Sequence, residues 1–171
     1  FASQNTNDII FVSAGVGLGS GYFQNVGDTR RIGAEMRLSG RIFEVNWDAN
    51  YNFIESTFQN AFLATSANHP EAINKQIAVE RGDEIPGTPQ HVLKLGLNHE
   101  PLSDWLVGLD LVSQTGIYAR GDEANLLNRT SGHTVVNLHS NYTINEAVEF
   151  FVLVDNIFDT KYETFAQLGE T

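Results

Sequence analysis

Apolar and polar residues alternate along several stretches of the chain, and this alternation predicts β-strands. The clearest stretch has five apolar residues interleaved with five polar ones: Glu44-Val45-Asn46-Trp47-Asp48-Ala49-Asn50-Tyr51-Asn52-Phe53. Because successive side chains of a strand point to opposite faces, such a strand has one apolar and one polar face. Similar patterns predict about seven strands in all, at 7–13, 22–38, 44–53, 91–98, 105–111, 133–144 and 148–154.

The predicted connections differ in length. Short reversals are expected at Ser39–Arg41, Glu100–Asp104 and Asn145–Glu146, and a flexible glycine-rich turn at Ala14–Gly21. Two long polar loops are expected at about 59–84 and 120–132. Antiparallel hairpins with short turns at one rim and long loops at the other are typical of up-and-down barrels in outer membranes.

Alternation alone does not decide which face is wet, because a soluble ligand-binding β-barrel has the same pattern turned inside out. Two features favour a membrane barrel. Several aromatic residues lie near predicted strand ends, where interfacial girdles are found: Trp47, Tyr51, Phe53, Trp105 and Tyr118. The polar face of the 44–53 strand also carries amides rather than the mixture of lysine and glutamate usual on soluble proteins.

Composition excludes several classes of protein. The chain of 171 residues contains no run of 18 apolar residues, so a membrane-spanning helix is not expected. A formal net charge of -11 argues against nucleic acid as a partner. The absence of cysteine removes disulfides and thiolate metal sites.

No catalytic constellation is recognisable. The five histidines show neither HExxH nor His-x-His spacing, and no Gly-x-Ser-x-Gly motif occurs. His99 and His139 are expected to have structural roles. The sequence therefore predicts no enzyme, no catalytic residue, no metal site and no cofactor.

The charged residues of the long loops are the candidate ligand-binding residues. They are Glu80, Arg81 and Asp83, beside Glu84, in the first loop, and Arg120, Asp122, Glu123 and Arg129 in the second. Arginines at an outer rim pair well with the carboxylates or oxyanions of a metal chelate. The alternative is that these are ordinary solvated loop charges. A second charged set, on the predicted polar face, is expected to line a wet interior or hold a plug: Glu35, Glu44, Asp48, Lys94 and Asp110.

Three motifs carry a family resemblance. The run Val154-Asp155-Asn156-Ile157-Phe158-Asp159-Thr160-Lys161-Tyr162-Glu163 resembles the "v-x-N-L-F-D-k-x-Y" signature of TonB-dependent outer-membrane receptors. The run from Tyr22 to Glu35, with Asn25, Gly27, Gly33 and Glu35, resembles the family's "N-x-G-x-t-x-x-x-G-x-E" strand. The run Ile85-Pro86-Gly87-Thr88-Pro89-Gln90-His91 resembles its "l-P-x-x-P-x-h" strand entry. The motif residues Asn156, Phe158, Asp159 and Tyr162 are expected to be structural, as are those of the second motif.

The resemblance implies a receptor of the bacterial outer membrane that binds a scarce nutrient, such as an iron-siderophore complex or a cobalamin. Import past a plug would be energised by TonB with ExbB and ExbD. Residues 1–171 are then expected to be part of an all-β, antiparallel, up-and-down transmembrane β-barrel, about seven of roughly 22 strands. By the same resemblance the chain lacks the plug, the TonB box and the last strand. A passive pore and a soluble ligand-binding β-barrel remain the alternatives.

Overall fold

The computed structural model describes residues 1–13 and 21–169, and the regular structure of these residues consists of β-strands. The strands are β1 (Ala2–Ser13), β2 (Gly21–Ile42), β3 (Val45–Phe58), β4 (Phe62–Thr65), β5 (Gln76–Val79), β6 (His91–Leu102), β7 (Trp105–Gln114), β8 (His133–Asn145) and β9 (Val148–Val154). Seven of them form one antiparallel sheet in the order β1-β2-β3-β6-β7-β8-β9, and β4 pairs with β5 separately. The predicted up-and-down, all-β fold of about seven strands is confirmed. The sheet is open, with β1 and β9 at its edges.

The reversal between β2 and β3 lies at Phe43 and Glu44, not at the predicted Ser39–Arg41. Gly40 suggested a turn, yet it is an extended residue paired with Trp47. A side chain at Gly40 would lie 3.0 Å from the Trp47 indole, so this glycine gives room to a ring that lies over the strand. The predicted turn at Ala14–Gly21 lies outside the described residues except for Gly21.

One face of the sheet is apolar from β2 to β9. Residues that are paired across neighbouring strands form rows on this face. One row is Leu38, Ala49, Leu95, Leu111 and Val136, and another is Gly40, Trp47, Leu97, Leu109, Leu138 and Val154. Aromatic rings bound this face at both ends, with Tyr51 stacked on His91 at one end and Trp105 against Tyr142 at the other. Tyr51 is level with Ser113, which is eight residue-to-residue steps from Trp105 along β7. The face is therefore about 27 Å long, at about 3.4 Å per step.

The other face is mostly polar from β2 to β8, and strand glycines make room for its charged groups. A side chain at Gly96 would overlap Asp48, and one at Gly108 would overlap His139. His139 therefore lies close to the sheet, with Nδ1 3.0 Å from an Asp110 carboxylate oxygen and Nε2 2.9 Å from Asn98 Oδ1. These contacts give His139 the structural role that the sequence predicts.

The strand connections place both of the described long loops at one end of the sheet. The turns at 43–44, 103–104 and 146–147 lie at the opposite end. The first long loop spans 59–90 and the second 115–132, both slightly longer than predicted. The first was predicted to lack regular structure, but it contains β4 and β5. β4 begins with three consecutive apolar residues and does not alternate, so the pattern did not reveal this pair of strands.

The buried apolar core lies at the long-loop end, not against the middle of the sheet. In the part of the chain that the structure describes, its members are Val26, Phe58, Ala64, Ile77, Val79 and Ala124. Along the sheet, by contrast, Leu97 is 45% exposed and Leu109 38% exposed. The apolar face of the sheet therefore does not converge on a dry centre of its own. Among the described residues there is no helix of the length and hydropathy needed to cross a membrane.

Candidate functional site

The motif that contains Asn25 and Gly27 lies in β2 and contacts the start of the first long loop. Gly27 has a φ of 74°, which favours glycine, and its N–H donates to Asn25 Oδ1 at 2.8 Å. A side chain at Gly27 would lie 2.7 Å from Asn60 Oδ1, which instead accepts the N–H of Asp28 at 2.7 Å. The irregular backbone at Gly27 thus fixes the start of the loop at Asn60.

The end of the first long loop is held against β3. The N–H of Phe58 donates to Asp83 O, and that of Ile85 donates to Ser56 O, each at 2.9 Å. The Asp83 carboxylate accepts the N–H of Glu80 at 2.7 Å, and burial raises the pKa of this carboxyl. Asp83 therefore closes a turn that presents Glu80 and Arg81 to solvent.

The second long loop is organised around Asp122, which is fully buried. Its carboxylate oxygens accept the backbone N–H groups of Leu126 at 2.8 Å and Leu127 at 3.0 Å. One of them is also 3.0 Å from Nε2 of His69 in the first loop. Internal donors occupy this carboxylate, so it has a structural role.

Glu123 is also buried, with 4% of its surface exposed. One carboxyl oxygen accepts the N–H of Gly121 at 3.0 Å, and the other has no hydrogen-bond partner. Burial raises the pKa of Glu123 because the charged form loses its hydration.

Arg129, which is half-buried, also joins the two loops. Its guanidinium is 2.5 Å from Glu84 Oε1 and donates to Gln90 Oε1 at 3.1 Å. It also lies 4.8 Å from the ring centroid of Tyr118. Tyr118, predicted near a strand end, lies in the second loop instead, where its ring contacts Arg129.

Arg120 is the exposed cation of the second loop. Its backbone pairs with the C-terminal segment, donating to Ala166 O and accepting from Leu168 N at 2.9 Å each. Its guanidinium lies 5.7 Å from the Phe165 ring centroid. Together with Glu123 it lines a cavity of about 240 Å³, whose other walls are Ile10, Phe11, Ile85 and Pro86.

The structure thus divides the predicted ligand-binding residues into two groups. Asp83, Asp122, Glu123 and Arg129 have their polar groups turned into the loops. The side chains of Glu80, Arg81 and Arg120 are at the surface. Ligand contact by the surface group stays a prediction.

Sequence reasoning missed four residues that connect the loops: Ser66, His69, Gln90 and Asn125. His69 carried the only available signal, as a histidine beside a proline in a long loop. Its partner is 53 residues away in the chain, so spacing could not identify the pair.

The C-terminal motif forms a tight turn after β9. The Asn156 amide donates to Thr160 O at 2.9 Å and accepts the N–H of Thr160 at 2.9 Å. Asn156 and Asp159 have φ values of 52° and 49°, which short polar residues tolerate. Tyr162 then stacks on His133, with centroids 4.4 Å apart, while Phe158 is 71% exposed.

The described residues of the two long loops form no preformed metal centre. Among the described residues no group of three or more histidine, aspartate or glutamate side chains is placed to hold a metal ion. The described loop surface does offer exposed arginine, exposed carboxylate and the small cavity beside Arg120.

Comparisons with known proteins place this architecture. No curated protein sequence matches the chain significantly. The siderophore receptor PiuA from Acinetobacter baumannii matches with a TM-score of 0.72 and 19% identity, over 98% of this chain and 22% of that one. The ferric-catecholate import receptor Fiu from E. coli K12 matches with a TM-score of 0.66 and 19% identity, over 97% of this chain and 21% of that one.

The chain therefore spans about a fifth of the length of the solved receptors that it matches. At 19% identity, these two matches show that the fold is shared. A family model described as "TonB dependent receptor-like, beta-barrel" matches residues 1–157. Because this match covers most of the chain, the protein belongs to the TonB-dependent receptor-like β-barrel family.

Proposed function

We propose that the intact protein imports a ferric siderophore across the outer membrane, with energy supplied through TonB, ExbB and ExbD. The family consists of outer-membrane receptors and transporters, and the outer membrane is the location of this chain. The observation that most supports a siderophore is that both solved structures named above are siderophore or ferric-catecholate receptors. The proposal includes no catalytic step.

In this proposal the long-loop end faces the outside of the cell. Both of the described long loops lie at this end, and outer-membrane barrels have short turns at the periplasmic rim. The apolar face then meets lipid, and the polar face lines the barrel interior. Glu80, Arg81 and Arg120 would be the residues of this chain that meet the ligand first.

The exposed arginines suit an anionic iron chelate. Arginine presents a planar set of donors that matches carboxylates and oxyanions. Arg120 has a defined position, because its backbone is paired on both sides and its guanidinium lies over Phe165. Arg129 is excluded from this role because Glu84 and Gln90 already occupy its guanidinium.

The test is uptake of radioactive iron by cells that carry or lack the gene for the intact protein. The iron is presented as ferric catechol and as ferric acetohydroxamate, with cobalamin uptake measured in parallel. We expect iron uptake from at least one complex to require both the protein and TonB. Uptake that persists without TonB would instead indicate a passive pore, and uptake of cobalamin alone would overturn the siderophore assignment.

Two substitutions test whether the exposed arginines Arg120 and Arg81 bind the ligand. Arg120→Ala and Arg81→Ala are each expected to raise the apparent Kd for the transported iron complex several-fold, because each removes a loop cation. Lys75→Gln is the matched control, since Lys75 is another exposed cation of the first long loop. Equal effects of all three variants would mean that general charge, not these positions, governs binding.

A further inference from the structure

The two long loops are joined by a buried pair of side chains. His69 Nε2 and Asp122 Oδ1 are 3.0 Å apart, and neither side chain has solvent-exposed surface. The N–H of Glu71 donates to His69 Nδ1 at 3.0 Å, so this nitrogen is unprotonated. The ring proton is therefore on Nε2, and His69 donates a hydrogen bond to Asp122.

Further contacts surround the pair and join the same two loops. The Ser66 hydroxyl donates to Gly121 O at 2.5 Å. The N–H of Glu84 donates to Asn125 Oδ1 at 2.6 Å, and the Asn125 amide donates back to Glu84 O at 3.0 Å. Ala124 of the second loop packs into the apolar core formed with β4 and β5. These contacts leave the loops little freedom to move relative to each other.

Asp122 also ends the turn that carries Arg120. The N–H of Asp122 donates to Ala119 O at 3.0 Å, and Gly121 has a φ of 97°. Arg120 is therefore at the corner of a tight turn whose last residue is fixed by His69. Any movement of Asp122 away from the first loop moves this corner as well.

We propose that His69 and Asp122 are positioning residues for ligand binding. They join the two long loops into one rigid unit before a ligand arrives and fix the place of Arg120 in it. Because rigid preorganisation lowers the entropic cost of association, ligand affinity depends on the pair although neither side chain reaches the ligand. This inference rests on the proposed function only for the contact between Arg120 and the ligand.

The rigid unit can be tested without any ligand. Spin labels are placed on cysteines introduced at Ala78 and Asn128, one exposed position in each loop, in the intact receptor reconstituted in lipid vesicles. Electron–electron distance measurements should give one narrow distribution, and the variant His69→Ala should give a broad one. A broad distribution in the unsubstituted receptor, or a narrow one in His69→Ala, would overturn the inference.

Affinity for the transported ferric catechol or ferric acetohydroxamate complex provides the second readout. His69→Ala should weaken binding by about tenfold. His69→Gln, whose amide can still donate to Asp122, should restore both affinity and the narrow distribution. Glu71→Ala is the control, since it removes an exposed carboxylate close to the pair but keeps the backbone N–H.

The results separate this inference from the proposed function. A receptor that binds neither iron complex but keeps the predicted distance distributions would contradict only the proposed function. A receptor that binds iron with the same affinity in His69→Ala, despite a broadened distribution, would show that the pair does not position the ligand site. If His69→Ala does not fold, His69→Leu is measured in its place with the same expectations, because leucine removes the Nε2 donor to Asp122 and fills most of the space of the ring.

Discussion

At the scale of single residues, Asn156 shows why an asparagine occurs in the C-terminal motif. Its amide closes a turn through both Thr160 N and Thr160 O, and its backbone has a positive φ. Alanine provides neither property, whereas glycine provides the backbone conformation alone.

We therefore expect Asn156→Ala to destabilise the intact receptor by about 2–3 kcal/mol and Asn156→Gly by about 1–2 kcal/mol. The measurement is urea-induced unfolding in lipid vesicles, followed by tryptophan fluorescence. Equal destabilisation by both variants would show that the positive φ contributes nothing.

Glu123 makes the stability of the loops depend on pH. Its pKa in the folded loops is above the ordinary value of 4.5, because burial disfavours the charged form. The folded state therefore holds its proton more tightly than the unfolded state does, and stability decreases as the pH rises from about 4.5 through the raised pKa.

The variant Glu123→Gln should remove this part of the pH dependence and stabilise the loops at about pH 7. The side-chain carbonyl oxygen of the introduced glutamine can still accept the Gly121 N–H, so the main hydrogen bond is kept. Hydrogen exchange of the 115–132 amides, measured against pH in both proteins, gives the comparison. An identical pH dependence in both proteins would contradict the role of Glu123.

At the scale of elements, alternation predicted the sheet strands well but not their exact ends. The apolar and polar faces of β3 follow directly from the sequence, because a strand with one lipid or core face must alternate. The predicted end of β2 was wrong because Gly40 makes room for the Trp47 indole and does not form a turn. The pairing of His69 with Asp122 could not be predicted, since it depends on how two distant loops fold together.

Gly33 of β2 illustrates the close approach of two strands. A side chain at this position would lie 2.6 Å from the backbone oxygen of Phe53. A backbone atom cannot move aside as a side chain does, so Gly33→Ala should separate β2 from β3 locally. We expect the free energy of unfolding to fall by about 1–3 kcal/mol. The yield of folded receptor should also fall, which is measured as a weaker band of folded barrel on gels of unheated samples.

Ser39→Ala is the control for this variant, because Ser39 lies on the same face of β2 and is exposed. Its yield should match that of the unsubstituted receptor. Folding of Gly33→Ala at the full yield would mean that the two strands separate without cost.

At the scale of the whole molecule, the isolated chain presents two unpaired strand edges and a broad apolar face. On the edge strand β9 every residue except Glu149 is apolar, and Phe150 is 61% and Phe151 82% exposed. Such surfaces favour association in water. Residues 1–171 alone should therefore form aggregates, or require detergent, and a sharp monomeric melting transition in plain buffer would contradict this.

In the intact receptor, we expect the apolar face of the sheet to touch hydrocarbon and the polar face to stay away from it. The most direct measurement places a nitroxide at each position from 46 to 53 of β3 in the intact receptor in lipid vesicles. Its collision rate with dissolved oxygen, which concentrates in lipid, is then recorded. We expect these collision rates to alternate with a period of two, high at Trp47, Ala49 and Tyr51 and low at Asp48 and Asn50. Uniformly low rates at Trp47, Ala49 and Tyr51 would contradict it, because that result describes a face packed inside a protein core.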